Sequence, residues 1–134
     1  MIRWRLHLAS SLEEVHAILA TDAGRARFWA ESAVEREGVI TFRFPNGSVY
    51  EGRVLASEPP SLFEVDYFDV PARFELEPDG SGGTDLTLTH DHRHPDTRPG
   101  WISVLLALKV AADFGVDLRN HDPTRTWDQG FVDP

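Results

Sequence analysis

Three histidines at two-residue spacing, in the run THDHRHPD at 89–96, form the densest group of potentially reactive side chains. If the preceding strand continues past Leu88, then His90, His92 and His94 share one face of it, because side chains alternate along a strand. Three imidazoles on one face are a candidate metal site. Short polar runs bounded by proline are usually loops, and no further ligand is evident. We therefore expect no metal or other cofactor, and we assign His90 a hydrogen bond at a cavity mouth or against a neighbouring loop.

Acid–base chemistry has few candidate groups in this chain. A general acid or base must reach the substrate with a pKa near the working pH. His90 and Tyr67 are the candidates, but neither belongs to a pair with diagnostic spacing, and no GxSxG, P-loop or HExxH motif occurs. The sequence thus gives no support to a hydrolase, kinase or metalloprotease. We expect no catalysis, and an enzyme using His90 or Tyr67 stays open as the alternative.

The C-terminal tail, residues 119–134, concentrates charged side chains within ten positions: Arg119, His121, Asp122, Arg125 and Asp128. Two arginines can hold an anion. The interpretation we favour is a salt-linked clasp that seats Trp127 and Phe131 on the domain, in the same chain or across a dimer. Asp122 followed by Pro123 also predicts one helical turn around Thr124 to Trp127.

Composition limits the class of protein that carries these groups. The 134 residues, 41% apolar and 26% charged, match one globular domain. The absence of cysteine excludes a disulfide framework and a thiolate zinc site, and it favours a reducing cytoplasm. A net charge of −9 disfavours nucleic acid and anionic membranes as partners. The start of the chain lacks the apolar region of a secretion signal, and the longest apolar stretch is shorter than the roughly 20 residues of a membrane span. We expect a soluble cytoplasmic protein.

The elements that position the candidate groups follow from hydrophobic periodicity. Ile2 to Leu8 alternate as a half-buried strand. Ser11 before Glu14 has the spacing of a helix cap, so a short helix begins at Leu12, and a second one is predicted over 23–29. From Gly38 onward apolar residues recur at every second position, with turn signals at 45–47, 58–60 and 77–83. This pattern predicts an antiparallel meander.

A long helix is predicted from about Arg98 to Leu118, with Pro99 in its first turn. At 1.5 Å per residue it is roughly 30 Å long, whereas strands of about seven residues span only about 23 Å. The helix must therefore cross the sheet, and the sheet must curl around it. The helix also carries a second apolar stripe, Ile102, Leu106 and Val110, which the short helices, the tail or another subunit must cover.

The order of strand, two short helices, meander and long helix resembles the α+β helix-grip fold of the START-like, or SRPBCC, superfamily. Short motifs are similar to the branch named for activators of the heat-shock-protein-90 ATPase: Phe28–Trp29, Gly52 in YEGRVL, Pro59–Pro60, GGTDLTLTH at 82–90 and Gly100–Trp101. The resemblance covers residues 1–118, which we take as the domain, and the tail 119–134 departs from it.

The resemblance implies a cavity between sheet and long helix that accepts a small apolar or amphipathic molecule. The positions that match its pocket-facing places are Trp29, Phe42, Tyr50, Tyr67, Phe74, His90, Trp101 and Leu105. Ordinary core packing is the alternative role for these side chains, because any domain turns apolar residues inward. The alternatives to a ligand carrier are a protein-interaction module like the ATPase activators and a polyketide-cyclase-like enzyme, and a homodimer is a further expectation.

Overall fold

The computed structural model describes residues 1–134 as one antiparallel sheet with helices on it. The elements are β1 (Ile2–Leu8), α1 (Leu12–Ala20), α2 (Asp22–Arg25), β2 (Ser32–Arg36), β3 (Val39–Arg43), β4 (Val49–Glu58), β5 (Leu62–Tyr67), β6 (Val70–Pro78), β7 (Thr84–His90), α3 (Thr97–Phe114) and a 3-10 turn (Trp127–Gln129). The strand order is β1-β7-β6-β5-β4-β3-β2, and every neighbouring pair is antiparallel. This is the predicted α+β architecture of a meander with a long C-terminal helix.

Both short helices begin at a residue whose hydroxyl caps the first turn, and the first of these caps, Ser11, was predicted. The Ser11 hydroxyl accepts the backbone N–H of Glu14 at 3.2 Å, and the Thr21 hydroxyl accepts that of Gly24 at 3.1 Å. The second helix is shorter than predicted, because α2 ends at Arg25 and the residues up to Trp29 form a turn. This turn brings Trp29 under the sheet, where it is buried.

The meander contains one strand more than the sequence predicted. β2 pairs with β3 at the edge of the sheet, before the predicted start at Gly38. Within β4, a Cβ on Gly52 would lie 1.9 Å from the backbone oxygen of Asp66 on β5. Only glycine permits this close approach of two strands. The ladder between β4 and β5 shifts register just beyond it, between Val54 and Ala56.

The long helix buries one face against the sheet and leaves another exposed. Its buried side chains are Trp101, Leu105, Ala107, Leu108 and Ala111. Ile102 and Leu106 of the second stripe are 41% and 50% exposed, so neither the short helices nor the tail covers them. The helix ends at Phe114, four residues earlier than predicted, because Gly115 adopts the left-handed conformation that closes a helix.

The tail docks on the domain of the same chain. The Arg119 guanidinium donates to the backbone oxygens of Ala26 at 2.6 Å and Ala30 at 2.8 Å. The predicted helical turn around Thr124 to Trp127 is wrong in position, and a 3-10 turn at Trp127–Gln129 replaces it. The Asp122 carboxylate accepts the Thr124 N–H at 2.8 Å in a tight local turn, and the helical turn begins at the next cap, Thr126. Among the helices, none combines the length and the apolar character that crossing a membrane requires.

Candidate ligand-binding cavity

A cluster of aromatic rings fills the centre of the space between the sheet and α3. The Trp29 ring lies 4.9 Å from Phe42, 5.4 Å from Tyr67, 5.4 Å from Phe74 and 5.9 Å from Trp101, measured between ring centroids. All five side chains are buried. The rings meet in tilted and edge-on arrangements, which aromatic pairs favour. The centre of the grip is therefore packed core and not a hollow.

A cavity of about 330 Å³ lies beside this cluster. Its walls come from five places: the turn after α2, the β3–β4 turn, the end of β5, the first half of α3, and the tail. Aromatic side chains dominate these walls: Trp29, Phe44, Tyr67, Phe68, Trp101 and Trp127. The volume lies at the low end of the range of about 300–1,000 Å³ for small-molecule sites. The arrangement suits a small ligand with an apolar body.

Three of the eight positions expected in the pocket line this cavity, namely Trp29, Tyr67 and Trp101. Phe42 and Phe74 face the same side of the sheet but are fully buried within the ring cluster. Strand alternation identifies the inward face, and it does not say how far a side chain lies from the open end. These two residues lie in the packed core, and the structure places neither of them in the cavity wall.

The other three expected positions also lie outside the cavity walls. Leu105 is 4% exposed and packs in the core. The Tyr50 hydroxyl accepts the backbone N–H of Asp69 at 2.8 Å, which holds the β5–β6 turn. His90 is buried next to Trp101, and it receives a hydrogen bond from that indole. These side chains support the wall residues and do not form the wall.

Two hydrogen bonds fix the orientation and tautomer of His90, and burial keeps its ring neutral. The indole N–H of Trp101 donates to His90 Nδ1 at 3.0 Å, and His90 Nε2 lies 2.9 Å from the backbone oxygen of Tyr67, to which it donates. These partners assign the Nε2–H tautomer. Burial, with the side chain only 1% exposed, lowers the pKa of His90 below its ordinary value. Both nitrogens are thus occupied, and the ring remains uncharged near neutral pH.

The three histidines do not converge on a common point. β7 ends at His90, so the alternation that would align His92 and His94 with it stops there. The His92 ring stacks on His90 and its Nδ1 accepts the Thr97 hydroxyl at 2.7 Å, while the side chain of His94 is exposed. No group of three or more His, Cys, Asp or Glu side chains is placed to share a metal ion.

Trp29 and Tyr67 present polar atoms beside the cavity. The indole Nε1 of Trp29 is the one buried side-chain nitrogen or oxygen without a hydrogen-bond partner. Burial raises the pKa of Tyr67 well above its ordinary value, although the neighbouring Trp29 N–H acts to lower it. The Trp29 N–H thus lies close enough to the Tyr67 hydroxyl to act on it as a hydrogen-bond donor, although the pair does not meet full hydrogen-bond geometry. The phenol stays protonated at neutral pH.

Charged groups at the cavity are either paired or at its rim. The Arg119 guanidinium is bonded to both carboxylate oxygens of Asp117 and to two backbone oxygens, and its side chain is almost fully buried. Asp96 stands at the start of α3 with a solvent-exposed carboxylate. The cavity therefore offers no free cation to a ligand.

Sequence reasoning missed the wall residues of the turns and the tail. Phe44 and Phe68 each sit at the end of a strand, beside a turn, where aromatic residues are unusual unless they contact something. An aromatic residue at the end of a strand could therefore have indicated a wall of the cavity. Arg119 and Trp127 reach the cavity only because the tail folds back over it, and no periodicity in the sequence indicates that path.

Solved structures provide the comparison with known proteins. No family model and no curated protein matches the sequence. Protein SSP2350 from Staphylococcus saprophyticus is similar, with a TM-score of 0.76 and 22% identity over 88% of this chain and 95% of that one. The Aha1 dimer from Colwellia psychrerythraea is also similar, with a TM-score of 0.73 and 24% identity over 85% of this chain and 96% of that one. CalU16 from Micromonospora echinospora has a TM-score of 0.65 and 22% identity over 81% of this chain and 71% of that one. The chain therefore shares the fold of these proteins, an antiparallel sheet around a long C-terminal helix that is consistent with the helix-grip fold.

Proposed function

We propose that this protein binds a small apolar or amphipathic molecule in the cavity between the sheet, α3 and the tail. The observation that carries the proposal is an aromatic cavity of about 330 Å³ next to a core that is otherwise filled. Small-molecule sites are typically concave and mostly apolar with a few polar groups, and the walls of this cavity fit that description.

The expected affinity is modest. Burial of about 200 Å² of apolar ligand surface contributes about 5 kcal/mol at roughly 25 cal/mol per Å². Association entropy opposes this gain, so dissociation constants in the micromolar to millimolar range are expected unless polar contacts add to it. The neutral fluorophore N-phenyl-1-naphthylamine is a suitable probe, since it gains fluorescence in apolar surroundings and carries no charge.

Two neighbouring substitutions on α3 test the location of binding. Ser103 lines the cavity, whereas Ile102 faces solvent, so Ser103→Phe fills the space and Ile102→Phe is its matched control. We expect the probe to bind the wild type and Ile102→Phe, and to bind Ser103→Phe at least tenfold more weakly. Native mass spectrometry of protein purified from its own cells should show a small molecule bound to the wild type. Equal binding by both variants would contradict the proposal.

A protein-interaction module is the second candidate, and an exposed apolar band favours it. The band runs along the outer side of α3 and the segment after it: Ile102, Leu106, Phe114, Val116 and Leu118, each 38–69% exposed. Contiguous apolar surface commonly marks an interface. The similar Colwellia protein is described as a dimer, and we propose that this band pairs two copies of the present chain, as in a member of the ATPase-activator branch.

Sedimentation measurements test this pairing. Leu106→Glu places a charge in the band, and Leu55→Glu does the same at an exposed position on β4. We expect a dimer for the wild type and Leu55→Glu, and a monomer for Leu106→Glu. A wild type that stays monomeric at 100 µM would contradict the pairing and leave the cavity proposal untouched.

The contacts of His90 and Tyr67 support binding over proton transfer. A general base needs a free lone pair near the substrate, and both His90 nitrogens are engaged. Tyr67 has a raised pKa, so it holds its proton and is suited to donate a hydrogen bond. A cyclase-like reaction with either group as the base is therefore not our proposal.

A further inference from the structure

Two indole rings lie side by side at the cavity and differ in one respect. Trp29 and Trp101 are 5.9 Å apart between ring centroids, both are buried, and both line the cavity. The N–H of Trp101 is bonded to His90, whereas the N–H of Trp29 meets no acceptor at full hydrogen-bond geometry and has only the nearby Tyr67 hydroxyl, itself a donor, beside it. The chain thus provides a hydrogen-bond acceptor for one of these two indole N–H groups and none at good geometry for the other.

An open donor in this position needs an explanation. A buried N–H without an acceptor destabilises a fold, and nearly all buried polar groups in native proteins are bonded. Phenylalanine at position 29 would keep aromatic contact with Phe42, Tyr67 and Phe74 without bringing a polar atom into the core. The retained donor is therefore best explained by an acceptor that arrives with a ligand.

Tyr67 supplies a second donor near the first. Its ring centroid lies 5.4 Å from that of Trp29, it lines the same cavity, and its backbone oxygen is fixed by His90. Its hydroxyl keeps its proton at neutral pH, because burial raises its pKa. A carbonyl oxygen has two lone pairs, so it can accept from an indole N–H and a phenol O–H together.

The charges around the cavity favour a neutral acceptor over a carboxylate. The one cation in the wall, Arg119, is already paired with Asp117. Asp96 adds a negative charge at the start of α3, which offsets the positive end of that helix, and the whole chain carries −9. A carboxylate entering the cavity would lose hydration without gaining a counter-charge.

We propose that the ligand of this cavity is a neutral carbonyl compound with an apolar or aromatic body, whose oxygen accepts the Trp29 N–H with Tyr67 O–H as the second donor. This inference rests on the proposed function, because it specifies the chemistry of the molecule that the cavity takes. It distinguishes ketones, aldehydes, esters and amides from pure hydrocarbons and from acids of the same shape.

Three probes of nearly equal shape test it by calorimetry and NMR: 2-acetylnaphthalene, 2-isopropenylnaphthalene and 2-naphthoate. We expect the ketone to bind the wild type about tenfold more tightly than the hydrocarbon, and the carboxylate to bind more weakly than the ketone. Trp29→Phe should abolish the preference for the ketone. Trp4→Phe is the matched control, since it removes an indole that lies outside the cavity and whose N–H donates to the backbone oxygen of Arg98, and it should keep the preference.

The wild type gives a second readout that needs no variant. The indole N–H resonance of Trp29 should move downfield when the ketone binds, and it should not do so with the hydrocarbon. Equal affinity for ketone and hydrocarbon, with no such shift, would overturn the inference while leaving apolar binding intact. Absence of binding by all three probes would contradict the proposed function itself, and the inference with it.

Discussion

The inner part of the space between the sheet and α3 differs from its outer end. In the inner part, the rings of Phe42 and Phe74 are fully buried and each packs against Trp29, and His90 has both nitrogens bonded. At the outer end, the walls come from turns and the tail, a cavity remains, and the Trp29 donor has no partner. The same sheet and helix thus provide a rigid interior and an incomplete end. We therefore expect the first part to contribute most of the stability, and the proposed binding concerns the second.

The largest expected effect is a difference in the free energy of unfolding between two variants, each of which truncates one ring in one of the two parts. Phe74→Ala removes a fully buried ring from the inner cluster and should lower the free energy of unfolding by about 3–5 kcal/mol. Phe44→Ala enlarges an existing cavity at the outer end and should lower it by only about 1 kcal/mol. Urea unfolding measures both values. Equal losses would show that the outer end is packed as tightly as the interior.

A smaller difference in stability is expected between variants that replace the two indoles. Trp101→Phe leaves His90 Nδ1 without its donor, whereas Trp29→Phe breaks no hydrogen bond. Because both changes shrink a buried ring by a similar volume, Trp101→Phe should be the more destabilising by about 1–2 kcal/mol. Thermal unfolding of the two variants under identical conditions measures the difference. A Trp29→Phe protein that is the less stable of the two would mean that its N–H has a partner after all.

The smallest effect is a pH dependence that compares an interior histidine with one in the tail. Burial lowers the pKa of His90 in the folded state, so stability falls as pH decreases below about 6.5, where the unfolded state gains a proton first. Hydrogen bonds to Asp117 and Glu31 raise the pKa of His121, with Nε2 2.7 Å from Asp117 and Nδ1 2.8 Å from Glu31. The contribution of His121 to the stability of the fold is complete below about pH 6.5, and it disappears as pH rises through the pKa of His121 in the folded state.

The two histidines together predict a maximum of melting temperature near pH 6.5. Arg119 also contacts this group through Asp117, which its guanidinium approaches to 3.0 Å. His121→Gln should remove the decline above the maximum and leave the decline below it. The exposed His7→Gln serves as the control. A profile that keeps its alkaline decline in His121→Gln would exclude His121 as the cause.

The sequence predicted the elements well where a local signal defines them. Alternation from Ile2 to Leu8 and from Gly38 onward, and the Ser11 cap, identify β1, the meander and α1 from neighbouring residues alone. The predicted end of α3 at Leu118 was wrong because apolar periodicity outweighed Gly115, a helix-ending residue. β2 is short and lies at the edge, so its pattern was too brief to detect.

The site was predicted in part, because a cavity depends on where side chains of one face lie along the sheet. Trp29, Tyr67 and Trp101 line it as expected, while Phe42 and Phe74 share their face and lie deeper. That distinction comes from register and long-range packing, which a residue's sequence neighbours do not carry. The path of the tail depends likewise on Arg119 reaching backbone oxygens about 90 residues earlier.

The most direct test of the account is the position of a bound probe. Intermolecular nuclear Overhauser effects from N-phenyl-1-naphthylamine should reach the ring protons of Phe44, Tyr67 and Trp127 at the outer end. They should not reach Phe63, which is buried in the inner part. Contacts confined to Leu106 on the exposed side of α3, or no binding at all, would contradict the assignment of the outer cavity as the binding site.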